Sequence, residues 1–258
     1  MSVVLRAAES GLLAQKHNLD MIANNIANLS TTGFKKSRAV FADAAYETES
    51  AINLPDGQPP IPEARLGTGV RLVASQRMFS AGSLKETSNT WDLAIAGGGF
   101  FQVALPGGQK AYTRDGSFQV DGQGLLTSAE GFLADPQVMI PKNVEDVRIG
   151  EDGAIRGILE GQPVQLGSIP IVTFPNSDGL LAVGHNLFVP TEASGAAESG
   201  VAGTGDRGQV MSGVLEESNV DLAEEMTKAI EAQRAYQMSI KVLQTADEML
   251  GLANNLRR

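Results

Sequence analysis

The sequence predicts an α+β protein, with heptad helices at the two chain ends pairing as a coiled coil around an all-β central body. Three observations predict it: apolar residues recur every seven positions at both ends, the middle is built of short β-prone segments, and the C-terminal run has no Pro and no Gly before Gly251.

The C-terminal run, Ser218 to Leu256, is rich in Ala, Glu, Met, Leu and Gln, all good helix formers. Ser218 followed three residues later by Asp221 reads as a capping box, and Asp221, Glu224 and Glu225 suit the positive end of the helix dipole. Leu222, Ala229, Tyr236, Leu243 and Leu250 form one seam, with Met226, Gln233, Ile240, Asp247 and Asn254 in the interleaved position. So narrow a stripe must be covered by another helix.

The start of the chain offers that helix. From Val3 to Leu29, Leu5, Leu12, Leu19 and Ile26 repeat at seven residues, Ala8, Gln15, Ile22 and Leu29 fill the alternate seam, and Gly33 reads as a left-handed stop. Gln15, Gln233, Asp247 and Asn254 are polar interruptions, which weaken a stand-alone pair and suit fixing register and oligomer state. Self-assembly through the chain ends is the sharper reading, and an intramolecular pair closing an ordinary domain the plainer one.

The implied domains are residues 1–33 and 216–258 for the helices, 34–75 for a linker and 76–215 for the β body. The linker opens on a basic patch, Phe34 to Arg38, and holds a Pro-rich insert with Ile52, Leu54, Pro55, Pro59, Pro60, Ile61 and Pro62. That insert reads either as a disordered linker or as an extended arm docking on a neighbouring subunit. Gly67 to Leu84 reads as strand, turn, strand. Within the body, Asp115-Gly116, Asp121-Gly122, Asp152-Gly153 and Asp178-Gly179 read as hairpin turns. Gly97-Gly98-Gly99 precedes a strand and reads as a place where backbone approaches backbone. Residues 192–208, low in bulk, read as a flexible surface loop, and Gln209 to Leu215 as a last strand.

Composition bounds the function. The 258 residues are 42% hydrophobic and 19% charged, as in a globular protein, and the formal net charge of −10 argues against nucleic acid or an anionic membrane as partner. The absence of cysteine excludes disulfides, thiol catalysis and thiolate metal sites. The N-terminal stretch is an amphipathic heptad rather than a cleavable secretory signal. The two histidines, His17 and His185, have no spaced carboxylate motif, the triple glycine lacks a following helix, and there is no Gly-x-Ser-x-Gly elbow. No catalytic, cofactor or metal site is predicted, and the protein is not expected to be an enzyme.

Ile22-Ala23-Asn24-Asn25-Ile26-Ala27-Asn28, followed by Thr31-Thr32-Gly33-Phe34-Lys35, resembles the N-terminal signature of the bacterial flagellar rod and hook proteins. Ser218-Asn219-Val220-Asp221, Glu224-Glu225-Met226 and Gln233-Arg234-Ala235-Tyr236 are similar to that family's C-terminal signature. Gly99 to Val103 and Tyr112 to Phe118 resemble its β core. One departure is Ser239, in a neighbourhood where the family usually has Asn.

The resemblance implies a structural subunit whose terminal helices line a helical tube that transmits torque from basal body to hook. Length and the Pro-rich insert suit the distal rod, with the proximal rod as the alternative. It further implies export without a cleaved signal through the flagellar type III apparatus and a periplasmic basal-body location. The expected partners are further copies, other rod subunits, the hook protein or its junction, and the surrounding P and L rings. The residues expected at the assembly interface are Leu12, Leu19, Ile22, Asn24, Asn25, Ile26, Asn28, Ala229, Gln233, Arg234, Tyr236, Ile240 and Leu243, with the insert bracing neighbours. Two other classes compete: a coiled-coil binding module, and a periplasmic hydrolase of cell-wall glycan using a carboxylate-lined cleft.

Overall fold

The computed structural model describes residues 3–48 and 65–256. The insert positions Ile52, Leu54, Pro55, Pro59, Pro60, Ile61 and Pro62 lie outside the described residues. The chain divides into two compact units.

The first unit holds α1 (Val3–Ala27) and α2 (Leu222–Leu256), which pack against each other, together with residues from 37 to 76. Residues 34–75 are therefore not merely a linker. Ser37–Asp43 pairs with Val70–Arg77, and Tyr46–Thr48 pairs antiparallel with Arg65–Gly67. Val40, Phe41, Val70, Leu72 and Val73 supply the β-branched and apolar side chains that favour these strands. α1 packs on the first of them, and Ser10 Oγ accepts a hydrogen bond from the Val70 amide at 3.1 Å.

Both helices are shorter than the heptads suggest. α1 stops at Ala27, so Leu29 leaves the seam, and Thr31 N–H bonds the Asn28 carbonyl in the turn that follows. α2 starts at Leu222, not at Ser218. Its cap is Asp221, whose carboxylate accepts from the amides of Ala223 (2.8 Å) and Glu224 (3.2 Å). Ser218 Oγ instead accepts from the Val220 amide, because the chain just before it is still extended: Val214–Glu216 pairs with Leu84–Glu86.

The second unit, residues 28–36 and 77–220, is built on a seven-stranded sheet. Its strand order is Leu181–Gly184, Leu187–Val189, Lys110–Thr113, Phe101–Ala104, Leu133–Ala134, Leu126–Ser128 and Phe118–Val120. The register places Phe101 opposite Thr113 and Val103 opposite Ala111, with Leu187 opposite Thr113. Alternation then sends Phe101, Val103, Ala111 and Leu187 into the larger core with Leu93, Ile155 and Ile171. Tyr112 and Phe188 go to the other face, into an aromatic cluster with Phe79, Phe100 and Phe174. These rings meet edge to face, for example Phe79 and Phe188 at 5.1 Å between centroids. A sheet covered on both faces needs apolar residues at successive positions, which is why Phe100-Phe101 and Ala111-Tyr112 stand side by side in the chain.

Two of the four expected hairpin turns join paired strands: Asp121-Gly122, between Phe118–Val120 and Leu126–Ser128, and Asp152-Gly153, between Val144–Ile149 and Ala154–Leu159. The other two do not. Asp115-Gly116 leads from one strand to a non-neighbour, and Asp178-Gly179 lies in a short 3₁₀ turn. Residues 192–208 are no loose loop: Glu198–Gly200 pairs with Ile171–Thr173, and Ser194 and Ala202 are buried. The last strand breaks at Gly213, so Gln209–Ser212 pairs with Leu93–Ala96 while Val214–Glu216 turns to another partner. The triple glycine does mark a close approach. A Cβ on Gly97 would lie 2.8 Å from Gly208 Cα, and one on Gly99 would lie 3.2 Å from the Val172 carbonyl.

Candidate assembly surface

In the first unit, two contacts fix how the helices run. Gly11 lies against Ser239, where an added Cβ would be 3.8 Å from Oγ, and Asn25 Nδ2 donates to Glu225 Oε2 at 3.0 Å. These contacts are fourteen residues apart on each helix and run in opposite directions, so the pair is antiparallel and in constant register.

The buried rows follow a seven-residue repeat, but only one of them is the expected one. On α2, Ala229, Tyr236 and Leu243 are half-buried as the sequence predicts, whereas Leu222 at the head of that row is exposed because it opens the helix. The interleaved row is displaced by one residue: Glu225, Ala232, Ser239 and Ala246 turn inward, whereas Met226, Gln233 and Asp247 are exposed and Ile240 is half-buried. The reason is size. Gly11 on α1 lies against Ser239, and small Ala232, Ser239 and Ala246 in the inward row allow a close approach that longer side chains in the next row would block. On α1, Ile22 is buried, Leu12, Leu19 and Ile26 are half-buried, and Asn24 is exposed. Arg234 is exposed on α2.

Asn25 has a role inside the chain. Its side-chain amide donates to the Ser37 carbonyl and its oxygen accepts from the Ser37 amide, both at 2.9 Å, as a neighbouring strand would. Its contact with buried Glu225 completes the carboxylate's shell together with Lys228 Nζ at 3.0 Å. Asn28 accepts from Thr31 Oγ1 in the turn after α1.

Beside the face turned to α1, α2 carries a second apolar row. Met238 is 69% exposed, Met249 59% and Leu252 64%, with Val242 between them. Met238, Lys241, Val242, Thr245, Ala246 and Met249 line one shallow groove whose wall is almost wholly apolar. Buried polar and exposed apolar surface are the informative departures from ordinary packing, and an uncovered row of this length is a candidate binding surface. The spacing of Met238, Val242, Met249 and Leu252 carried that signal in the sequence, where a single stripe drew the reading instead.

The second unit holds a different device, which sequence reasoning missed. Lys35, Glu216 and Arg114 are all buried. Glu216 accepts from Lys35 Nζ at 2.5 Å, from the Gly82 amide at 2.9 Å and from Arg114 Nη1 at 3.3 Å. Lys35 also donates to the Ser80 carbonyl, and Arg114 donates to Gly97 and lies over the Phe100 ring. Burial pushes both cations below their ordinary pKa values, against the pull of Glu216. Gly33 lies in the left-handed region with φ of 67°, and a Cβ there would be 2.5 Å from the Asp115 amide nitrogen. It therefore serves this close packing rather than ending α1. Asn219 stitches the same place: it accepts from the Lys36 amide and donates to the carbonyls of Met78 and Ser80.

For chemistry there is little. Among the described residues, no group of three His, Cys, Asp or Glu is placed to hold a metal ion, and no helix is long and apolar enough to cross a membrane. His185 pairs with Glu130 at 2.9 Å on the surface, and His17 is exposed on α1.

Three sequence families match. Residues 5–35 match the flagella basal body rod protein family, residues 94–157 the flagellar hook protein FlgE/F/G D1 domain, and residues 211–256 the flagellar basal body rod FlgEFG protein C-terminal family. A flagellar basal-body rod protein FlgG from Borreliella burgdorferi is 41% identical over 264 residues, covering all of both chains. The chain belongs to the flagellar rod and hook family. Within that family, FlgG of Caulobacter vibrioides is 40% identical over 258 residues, covering 98% of each chain. FlgF of the same organism is 34% identical over 255 residues, covering 96% of this chain and 95% of its own. The family matches at the two ends take in α1 with Asn25 and Lys35, and Glu216 with α2.

Proposed function

We propose that this chain is a structural subunit of the flagellar distal rod, whose terminal helices form a coiled coil and assemble with further copies into a helical tube carrying torque to the hook. One observation carries the reading: α2 is apolar on two sides, and α1 covers only one of them. The occupant is a second copy of the chain. The family is one of rod and hook proteins, and a face that differs from the one it meets makes a heterologous contact, which propagates as a helix instead of closing. Leu12, Leu19, Ile22, Ile26, Ala229, Tyr236, Ile240 and Leu243 hold the helix pair, while exposed Asn24, Gln233 and Arg234 face neighbouring copies. The insert from Ile52 to Pro62 braces adjacent subunits. The higher identity to FlgG than to FlgF supports the distal position over the proximal one.

In this reading the protein passes unfolded through the type III export apparatus without a cleaved signal and assembles in the periplasm. There it meets other rod subunits, the hook or its junction, and the P and L rings. Torque transmission needs repeated contacts and no reacting side chain, so no enzymatic step is assigned.

The test is sedimentation with negative-stain microscopy of concentrated full-length protein, beside Met238→Glu and Val242→Glu. Straight polymer from the parent and none from either variant, with unchanged circular dichroism, supports the assignment. A fixed small oligomer in all three returns the protein to the binding-module class.

A further inference from the structure

The uncovered face of α2 is built around sulfur. Met238 and Met249 lie eleven residues apart on one side of the helix, about 16 Å along its axis, and both line the groove there. Both side chains are more than half exposed, and the chain has no cysteine to react first with an oxidant. Leu or Ile would cover the same area without this liability, so the residue choice has a chemical consequence.

We propose that Met238 and Met249 are an oxidation switch on assembly: hydroperoxides convert both to sulfoxides in the free subunit and so block its addition to another copy. This rests on the reading that α2's outer face meets a second copy. The step is a two-electron oxidation of each sulfur. A sulfur lone pair attacks the peroxide's terminal oxygen, an S–O bond forms as the O–O bond breaks, and the proton on the transferred oxygen passes to the departing one, so hydrogen peroxide ends as water and an organic hydroperoxide as its alcohol. Sulfoxide is polar and a strong hydrogen-bond acceptor, and once water is excluded the groove gives it little to bond, since the Thr245 hydroxyl already donates to the Lys241 carbonyl at 2.9 Å. Lys241, the cation among the lining residues, carries its charge on a long stem that reaches solvent. In the polymer the same sulfurs are covered, so oxidation acts on subunits before they join. Methionine sulfoxide reductase restores the thioether and with it the ability to assemble.

Met139 provides the control. It lies in the second unit and at 63% exposed is open to the same oxidant, yet it is no part of this face.

The experiment treats full-length protein with hydrogen peroxide, maps sulfoxides by peptide mass spectrometry and measures the concentration at which polymer sediments. The expected result is a rise of about tenfold or more in that concentration, tracking sulfoxide at 238 and 249 and reversed by the reductase. The double variant Met238→Leu/Met249→Leu should assemble like the parent and resist the oxidant, while Met139→Leu should remain sensitive. Sulfoxide at both positions with unchanged sedimentation overturns this inference alone. No polymer from untreated protein overturns the assembly reading, and this inference with it.

Discussion

In the second unit two cations and a carboxylate are sealed from water and matched to carbonyls, an amide and one another. In the first, α2 turns apolar side chains to solvent, Met238, Val242, Met249 and Leu252 among them. The contrast is between charge gathered inside one unit and an apolar row left open along a helix of the other, although the second unit also exposes single apolar residues such as Met139, Leu181 and Val201. Glu216 bonds both cations and leaves only Arg114 Nε of this cluster buried without a hydrogen-bond partner, so the charge there is held chiefly by geometry.

The charge cluster gives the largest expected effect. Glu216→Gln leaves two buried cations without their anion and should destabilise the second unit by about 3–5 kcal/mol. Lys35→Met leaves Arg114 and Glu216 one to one and should cost less than half as much. Urea unfolding followed by the single tryptophan, Trp91, reads both; equal losses would show that charge balance is not what matters.

The helix pair comes next. Ala232→Leu overfills the inward row and should lower stability by about 1–3 kcal/mol, whereas Gln233→Leu, one residue on, should change it by less than about 0.5. Thermal melting of the helical circular dichroism decides, and the reverse order would restore the seam the heptads suggested. Asp221→Ala removes the α2 cap and should cost about 1 kcal/mol in the same melt, with Ser218→Ala costing less.

The smallest effect is one of pH. Burial raises the Asp115 carboxyl above 3.8, against its hydrogen bonds from Ser117. Between 3.8 and that raised value the folded state binds more protons than the unfolded chain, so stability falls as pH rises through the window. Asp115→Asn should flatten that slope in acid titrations of the Trp91 signal, and an unchanged slope would assign it to another group.

Most of the helix–body–helix order was legible in the sequence because periodicity is a local signal, and the end motifs carried the family. What was not legible depends on distance or on size. Lys35 and Glu216 are separated by 181 residues, so no spacing announces their pairing. The one-residue displacement of the inner row sets Gly11 against Ser239 and turns Ala232 inward, small residues that hydrophobicity alone ranks below Met226 and Ile240. Asp115-Gly116 looks like a hairpin turn by composition, and only the sheet order shows its flanking strands are not neighbours.

The most direct test of the central claim uses the absence of cysteine. Met238→Cys creates a single thiol on α2's outer face, and a nitroxide attached there reports its surroundings by electron paramagnetic resonance. The account predicts a mobile label in the dilute subunit and an immobilised one in sedimented polymer. A label equally mobile in both would contradict it, because the face would then remain open after the copies have joined.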